Sequence, residues 1–199
     1  MKTKIASILL TLVLVCGLMG CGLTAPEAPM EATIDGYTVV LGETTVQDIV
    51  DQGYEIYLES VQDVARDGDK YISFYYSFAK EAGNQFWGYV AVPWNGSTNI
   101  NKEMELSMTE GILKSVSFSK SSTEKVTASY NGVDIQDMTF DYASEEWKAK
   151  TDDTTTSVAY IAQVKNGVLR FKEGATSGGE LDSFSVQMSE KTFEKMQNQ

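Results

Sequence analysis

The chain opens on one mostly apolar run, Ile5 to Leu18, and after Thr33 its apolar residues become periodic. In Tyr71 to Lys80, Ile72, Phe74, Tyr76 and Phe78 fall on one side and Tyr71, Ser73, Tyr75 and Ser77 on the other. That is the period of a strand with one buried face. Gln85 to Val92 repeats it, with Phe86, Val90 and Val92 opposed to Trp87, Tyr89 and Ala91. Ser157 to Val164 and Val168 to Lys172 read as two more strands about a tight turn at Asn166-Gly167. Met104, Leu106 and Met108 alternate with Glu103, Glu105 and Ser107, which predicts a further strand before Gly111. Two short helices interrupt this pattern. Thr44-Thr45-Val46-Gln47 matches a capping box, with Val46, Ile49 and Val50 on one face and Gly53 as the stop. Thr139 opens the second helix, with Phe140, Ala143 and Trp147 on one face.

These elements recur in order. Ala32-Thr33-Ile34-Asp35-Gly36 is echoed by Ala128-Ser129-Tyr130-Asn131-Gly132, and each turn signal is followed by a β-rich stretch and a Thr-capped helix. Gly111 to Phe118 then aligns with Gly179 to Val186. The fold predicted is α+β, in two tandem units, each a short helix packed on an antiparallel β-meander. The boundaries are a leader at 1–20, a tether at 21–33, a first repeat with an insert at 34–124 and a second repeat at 125–199. A single α+β domain whose strands merely look alike is the alternative.

Composition removes whole classes of chemistry. No His is present, so a Ser-His-Asp triad, a Cys-His pair and imidazole metal ligation are excluded. Two Cys, one inside the apolar run and one at its end, build neither a disulfide framework nor a cysteine zinc cluster. A formal charge of −12 argues against nucleic acid as a partner. No cofactor and no metal site are expected, and no catalytic residue is singled out. Asp63, Asp67 and Asp69 around Gly68 read as a turn, since the later ligands of a calcium loop are missing. Glu103, Glu105 and Glu110 would suit carboxylate hydrolysis only if two of them converged.

Lys2 and Lys4 precede the apolar run, which is shorter than the roughly 20 residues a membrane-spanning helix needs. The run ends in Leu18-Met19-Gly20-Cys21, which resembles the lipobox of bacterial lipoproteins. Cys16 follows the β-branched Val15 and belongs to the run itself, so Cys21 is the expected lipid-attachment residue. The resemblance implies cleavage before Cys21 and a thioether-linked diacylglycerol on it. The expected location is the extracytoplasmic face of the cell membrane, held by lipid. Two acyl chains anchor stably where one does not. Pro26, Pro29 and their small neighbours then read as a spacer lifting the folded part off the membrane.

A turn or strand, a Thr-capped helix and antiparallel strands, twice over behind a lipobox, resemble the β-lactamase-inhibitor-like and SmpA/OmlA-type lipoproteins. That resemblance implies a non-enzymatic binding module that grips a protein partner with a sheet face. The inhibitor proteins are disulfide-bonded and this chain is not, so inhibition of a β-lactamase is not implied.

Alternation assigns the candidate surface. With the apolar sets packed on the helices, Tyr71, Tyr75, Trp87 and Tyr89 share the uncovered face beside Ser115 and Ser117, with Ser183 and Ser185 in the equivalent row of the second copy. Trp94 lies in the insert. Tyr and Trp beside Ser supply contact area with few rotors and hydrogen bonds without fixed charge. The expected partner is an envelope protein. The alternatives are a small ligand or glycan, or aromatics that only pair across strands.

Overall fold

The computed structural model describes residues 25–60, 69–96, 99–152, 158–174 and 179–199. It is α+β, and every described strand pair is antiparallel. A four-stranded sheet contains β1 (Glu31–Ile34), β2 (Tyr37–Val40), β8 (Ala128–Tyr130) and β9 (Val133–Asp134), in the order β2-β1-β8-β9. The second sheet has nine strands. They are β3 (Glu55–Ser60), β4 (Tyr71–Glu81), β5 (Asn84–Pro93), β6 (Ile112–Leu113), β7 (Ser115–Ser119), β10 (Lys150–Thr151), β11 (Ala159–Val164), β12 (Gly167–Glu173) and β13 (Leu181–Met188). Its order is β10-β11-β12-β13-β7-β5-β4-β3, with the short β6 paired to β5. Among the described residues the α-helices are α1 (Val46–Asp51), α2 (Asn101–Ser107), α3 (Phe140–Trp147) and α4 (Glu190–Gln197).

Local chemistry sets the turns and helix starts. Asp35 and Gly36 both sit at positive φ (53° and 75°), as do Asn131 and Gly132 (52° and 78°). Each pair closes a two-residue hairpin whose twist matches its strands. Thr45 caps α1: its Oγ accepts from the Asp48 amide at 3.1 Å, and Asp48 Oδ2 accepts from the Thr45 amide at 2.8 Å. The box thus starts one residue later than Thr44-Thr45-Val46-Gln47 suggests, because Thr44 Oγ is occupied accepting from the Val40 amide at 2.9 Å. Thr139 caps α3 by accepting from the Tyr142 amide at 3.1 Å.

The core lies between the two sheets. Ile72, Phe74, Tyr76 and Phe78 of β4 and Phe86, Val90 and Val92 of β5 are buried in it, as their alternation predicts. From the other sheet come Ile34, Val39 and Tyr130, and from the helices Val46, Ile49, Ala143 and Trp147. Tyr130 meets Phe184 at 4.7 Å and Trp147 at 5.8 Å between ring centres, tying the small sheet, β13 and α3 together. The small sheet, α1, α2 and α3 therefore cover one face of the nine-stranded sheet.

Three expectations are corrected. The segment Glu103 to Met108 is not a strand; α2 spans Asn101–Ser107, and Ser107 Oγ shares a 2.6 Å hydrogen bond with Tyr76 Oη. Met, Leu and Glu are strong helix formers, and six alternating residues carry too little period to outweigh that. The tether does not run to Thr33. The Lys165 amide donates to the Pro26 carbonyl at 3.0 Å, Ala28 is buried, and residues 31–34 are strand β1. The turn between β11 and β12 is Lys165-Asn166, with Gly167 already paired to Val164. Strand β3 and helix α4 carry no clear signal in the sequence. Ser189 caps α4, and its Phe193 is fully buried.

Candidate functional site

The uncovered face of the nine-stranded sheet is set by register. Residues paired directly across antiparallel strands point to the same side. One such row reads Tyr57, Ser77, Trp87, Ser117, Ser185, Arg170, Ile161 and Lys150, from β3 to β10. A parallel row joins Ser119, Ser183 and Lys172, and a third joins Tyr75 to Tyr89. The face is thus divided. Tyr57, Tyr75, Trp87 and Tyr89 lie on one half, serines of β7 and β13 form the seam, and Lys150, Arg170 and Lys172 lie on the other half.

A groove of about 290 Å³ follows the seam, with Tyr75 and Trp87 on one wall and Arg170 and Lys172 on the other. Ser117, Ser119, Ser183 and Ser185 form part of its floor. Tyr75 and Tyr89 are cross-strand partners with ring centres 4.9 Å apart. Burial, with smaller contributions from Tyr89 and Glu59, holds the Tyr75 hydroxyl above the usual tyrosine range. The Arg170 guanidinium is positioned by donating from Nη1 to Gln187 Oε1 at 2.9 Å. Among the described residues neither Arg170 nor Lys172 enters an ion pair.

The residues singled out in the sequence divide into two groups. Tyr75, Trp87, Tyr89 and Ser117 come together on the open face and are half-buried. Tyr71 does not join them: its ring packs edge-on against Phe193 of α4, at 5.2 Å and 88°. Trp94 does not either, since it packs against the core and its amide donates to the Lys70 carbonyl at 2.9 Å. Ser115 is buried, and its Oγ accepts from the Tyr89 amide at 2.9 Å, which makes it a link between β5 and β7 rather than a free hydroxyl. Cys21, Asp63 and Asp67 lie outside the described residues. Glu103 is buried while Glu105 and Glu110 are exposed, so these carboxylates do not converge.

Arg170 and Lys172 are absent from the sequence-based set. The signal that finds them is the alternation Leu169-Arg170-Phe171-Lys172, which buries Leu169 and Phe171 and turns the cations outward. Among the described residues no group of three His, Cys, Asp or Glu is placed to hold a metal ion, and no helix is long and apolar enough to cross a membrane. No protein-family model, no curated protein and no solved structure matches the chain.

Proposed function

We propose that this chain is a membrane-anchored, extracytoplasmic lipoprotein, lipidated at Cys21, that binds an envelope protein without catalysing a reaction. The observation that supports this best is the divided outer face. One side of the nine-stranded sheet is fully used by the core, while the other leaves Tyr75, Trp87 and Tyr89 half-buried beside a seam of serines. Aromatics enrich protein interfaces, and hydroxyls adapt to a partner's hydrogen bonds. At about 290 Å³ the groove falls just short of small-molecule sites, which run from about 300 to 1,000 Å³. That favours a protein surface over the small-ligand or glycan alternative.

The tandem organisation belongs to the same proposal. In the nine-stranded sheet β3, β4, β5 and β7 run inward from one edge, and β10, β11, β12 and β13 run inward from the other, meeting at the β7–β13 pair. The order β2-β1-β8-β9 has the same symmetry. This is the arrangement expected if each unit contributes half of each sheet, and it supports the resemblance to two-repeat envelope binding proteins.

The test is a pull-down from detergent-solubilised envelope of the source cell, with the lipidated protein against its Trp87→Ala/Tyr89→Ala variant. Both side chains are half-exposed, so the variant is expected to keep its circular dichroism and lose one retained protein. Equal retention by the folded variant refutes the docking face.

A further inference from the structure

We propose that the outer face recognises an acidic polypeptide segment, with Arg170 and Lys172 taking its carboxylates and Trp87 receiving an adjacent apolar side chain. The inference rests on the docking role above and specifies the chemistry of the partner. Three observations carry it.

The first is charge. In a chain with 28 acidic and 16 basic side chains, Arg170 and Lys172 stand on one groove wall without a counter-ion among the described residues. Asp182 is the acidic residue lining the same groove, and it makes no ion pair with either. At physiological ionic strength the screening length is about 8 Å, so an incoming carboxylate responds to these cations more than to the distant net charge.

The second is preparation. Arg170 is held by Gln187 at 2.9 Å, which fixes part of its fork before any ligand arrives. A guanidinium held in this way can still offer its other N–H groups to a carboxylate.

The third is spacing. Trp87, Ser117, Ser185 and Arg170 stand in one row across four neighbouring strands. Three inter-strand steps separate the backbones of Trp87 and Arg170 by about 14 Å, the reach of about four extended residues. The serines between them offer hydrogen bonds to whatever backbone crosses the seam. A segment with an apolar residue at one end and acids a few positions away satisfies all three parts.

The experiment is calorimetric titration of the full-length protein in detergent micelles. Two blocked hexapeptides serve as probes: one tryptophan followed by five glutamates, and one tryptophan followed by five glutamines. The glutamate peptide is expected to bind at least tenfold more tightly. Arg170→Gln with Lys172→Gln should erase that advantage, and Arg170→Lys alone should keep part of it. Equal affinity of the two peptides, an advantage that survives the double substitution, or binding by neither peptide overturns the proposal. If both peptides bind equally and both are lost with Trp87→Ala, the acidic preference falls while the docking face stands. Heat from an uncharged chitotriose but from neither peptide assigns the face to glycans and overturns both.

Discussion

Raising the pH offers a quantitative check on how the first half of the core is built. Tyr54 is buried, its hydroxyl donates to Asn84 Oδ1 at 2.9 Å, and its ring meets Phe86 edge-on at 5.3 Å. Burial first, and the charge of Asp35 second, push its pKa from an ordinary 10 up to about 12. A raised folded-state pKa means stability that is complete below about pH 10 and is lost as the pH climbs towards 12, since the unfolded chain ionises first. At 1.36 kcal/mol per unit, the loss from this one group is about 1.4 kcal/mol at pH 11 and about 2.7 kcal/mol once both states are ionised. Urea unfolding of the wild type and Tyr54→Phe at pH 8 and pH 11 isolates that term, because other tyrosines and the lysines titrate in both proteins. At pH 8 the variant should be weaker by about 1–3 kcal/mol, as the buried Asn84 oxygen loses its donor. By pH 11 the gap should shrink by about 1.4 kcal/mol. A gap that stays constant or widens refutes the account of Tyr54 as a neutral group sealed from water.

Two further outcomes follow from backbone and side-chain packing. Gly167→Ala places a Cβ 2.0 Å from the Gln187 carbonyl oxygen, whereas Gly132→Ala meets nothing within 4 Å but sits at φ 78°. The first should cost well over 2 kcal/mol and disturb the β12–β13 register, and the second only about 1 kcal/mol; equal urea midpoints would contradict this. Phe193→Ala removes the ring that α4 packs on Tyr71 and should cost about 3 kcal/mol. Limited proteolysis should then cut within 190–199 before any strand, and simultaneous loss of both would show that α4 does not behave as a separable cover.

How far the sequence was legible depends on the range of the interaction involved. Turns and caps are local, so Asp35-Gly36, Asn131-Gly132 and the cap at Thr139 can be read from a few neighbours, and the first helix start is read to within the one residue that separates Thr44 from Thr45. The inward and outward sets of β4 and β5 follow from alternation over eight or more residues. Reading fails where a short segment serves a distant surface. The Glu103–Met108 alternation is too short to distinguish a strand from a helix. Phe193 gains its burial from Tyr71, more than a hundred residues away. The same distance effect divides the candidate site. Tyr71 sits in the correct alternation class yet is taken by α4, and Ser115 is taken by the β5 backbone. Arg170 and Lys172 reach the site because β13 pairs with β7, and no spacing within one segment announces that pairing.

The corrected tether changes what kind of partner the proposed anchor permits. The Lys165 amide is bonded to Pro26, so the folded body begins within five residues of Cys21. Five residues span at most about 17 Å even when fully extended. On the lipidated reading, the body is therefore held close to the membrane and not carried away from it. The attachment lies at the β11–β12 turn, and β12 runs from that turn towards the groove. At about 3.4 Å per residue, Arg170 is about 14 Å and Lys172 about 20 Å along the strand from Asn166. The groove therefore stays within a few tens of ångströms of the lipid whatever the tilt of the sheet. A partner reached by this face has to present its acidic segment in that layer, which suits the membrane-proximal part of an integral or lipid-anchored protein. Inserting a flexible stretch between Cys21 and Pro26 would relax this restriction without touching the face. Capture that depends on tether length, with groove and fold unchanged, would separate the contribution of anchoring from that of recognition.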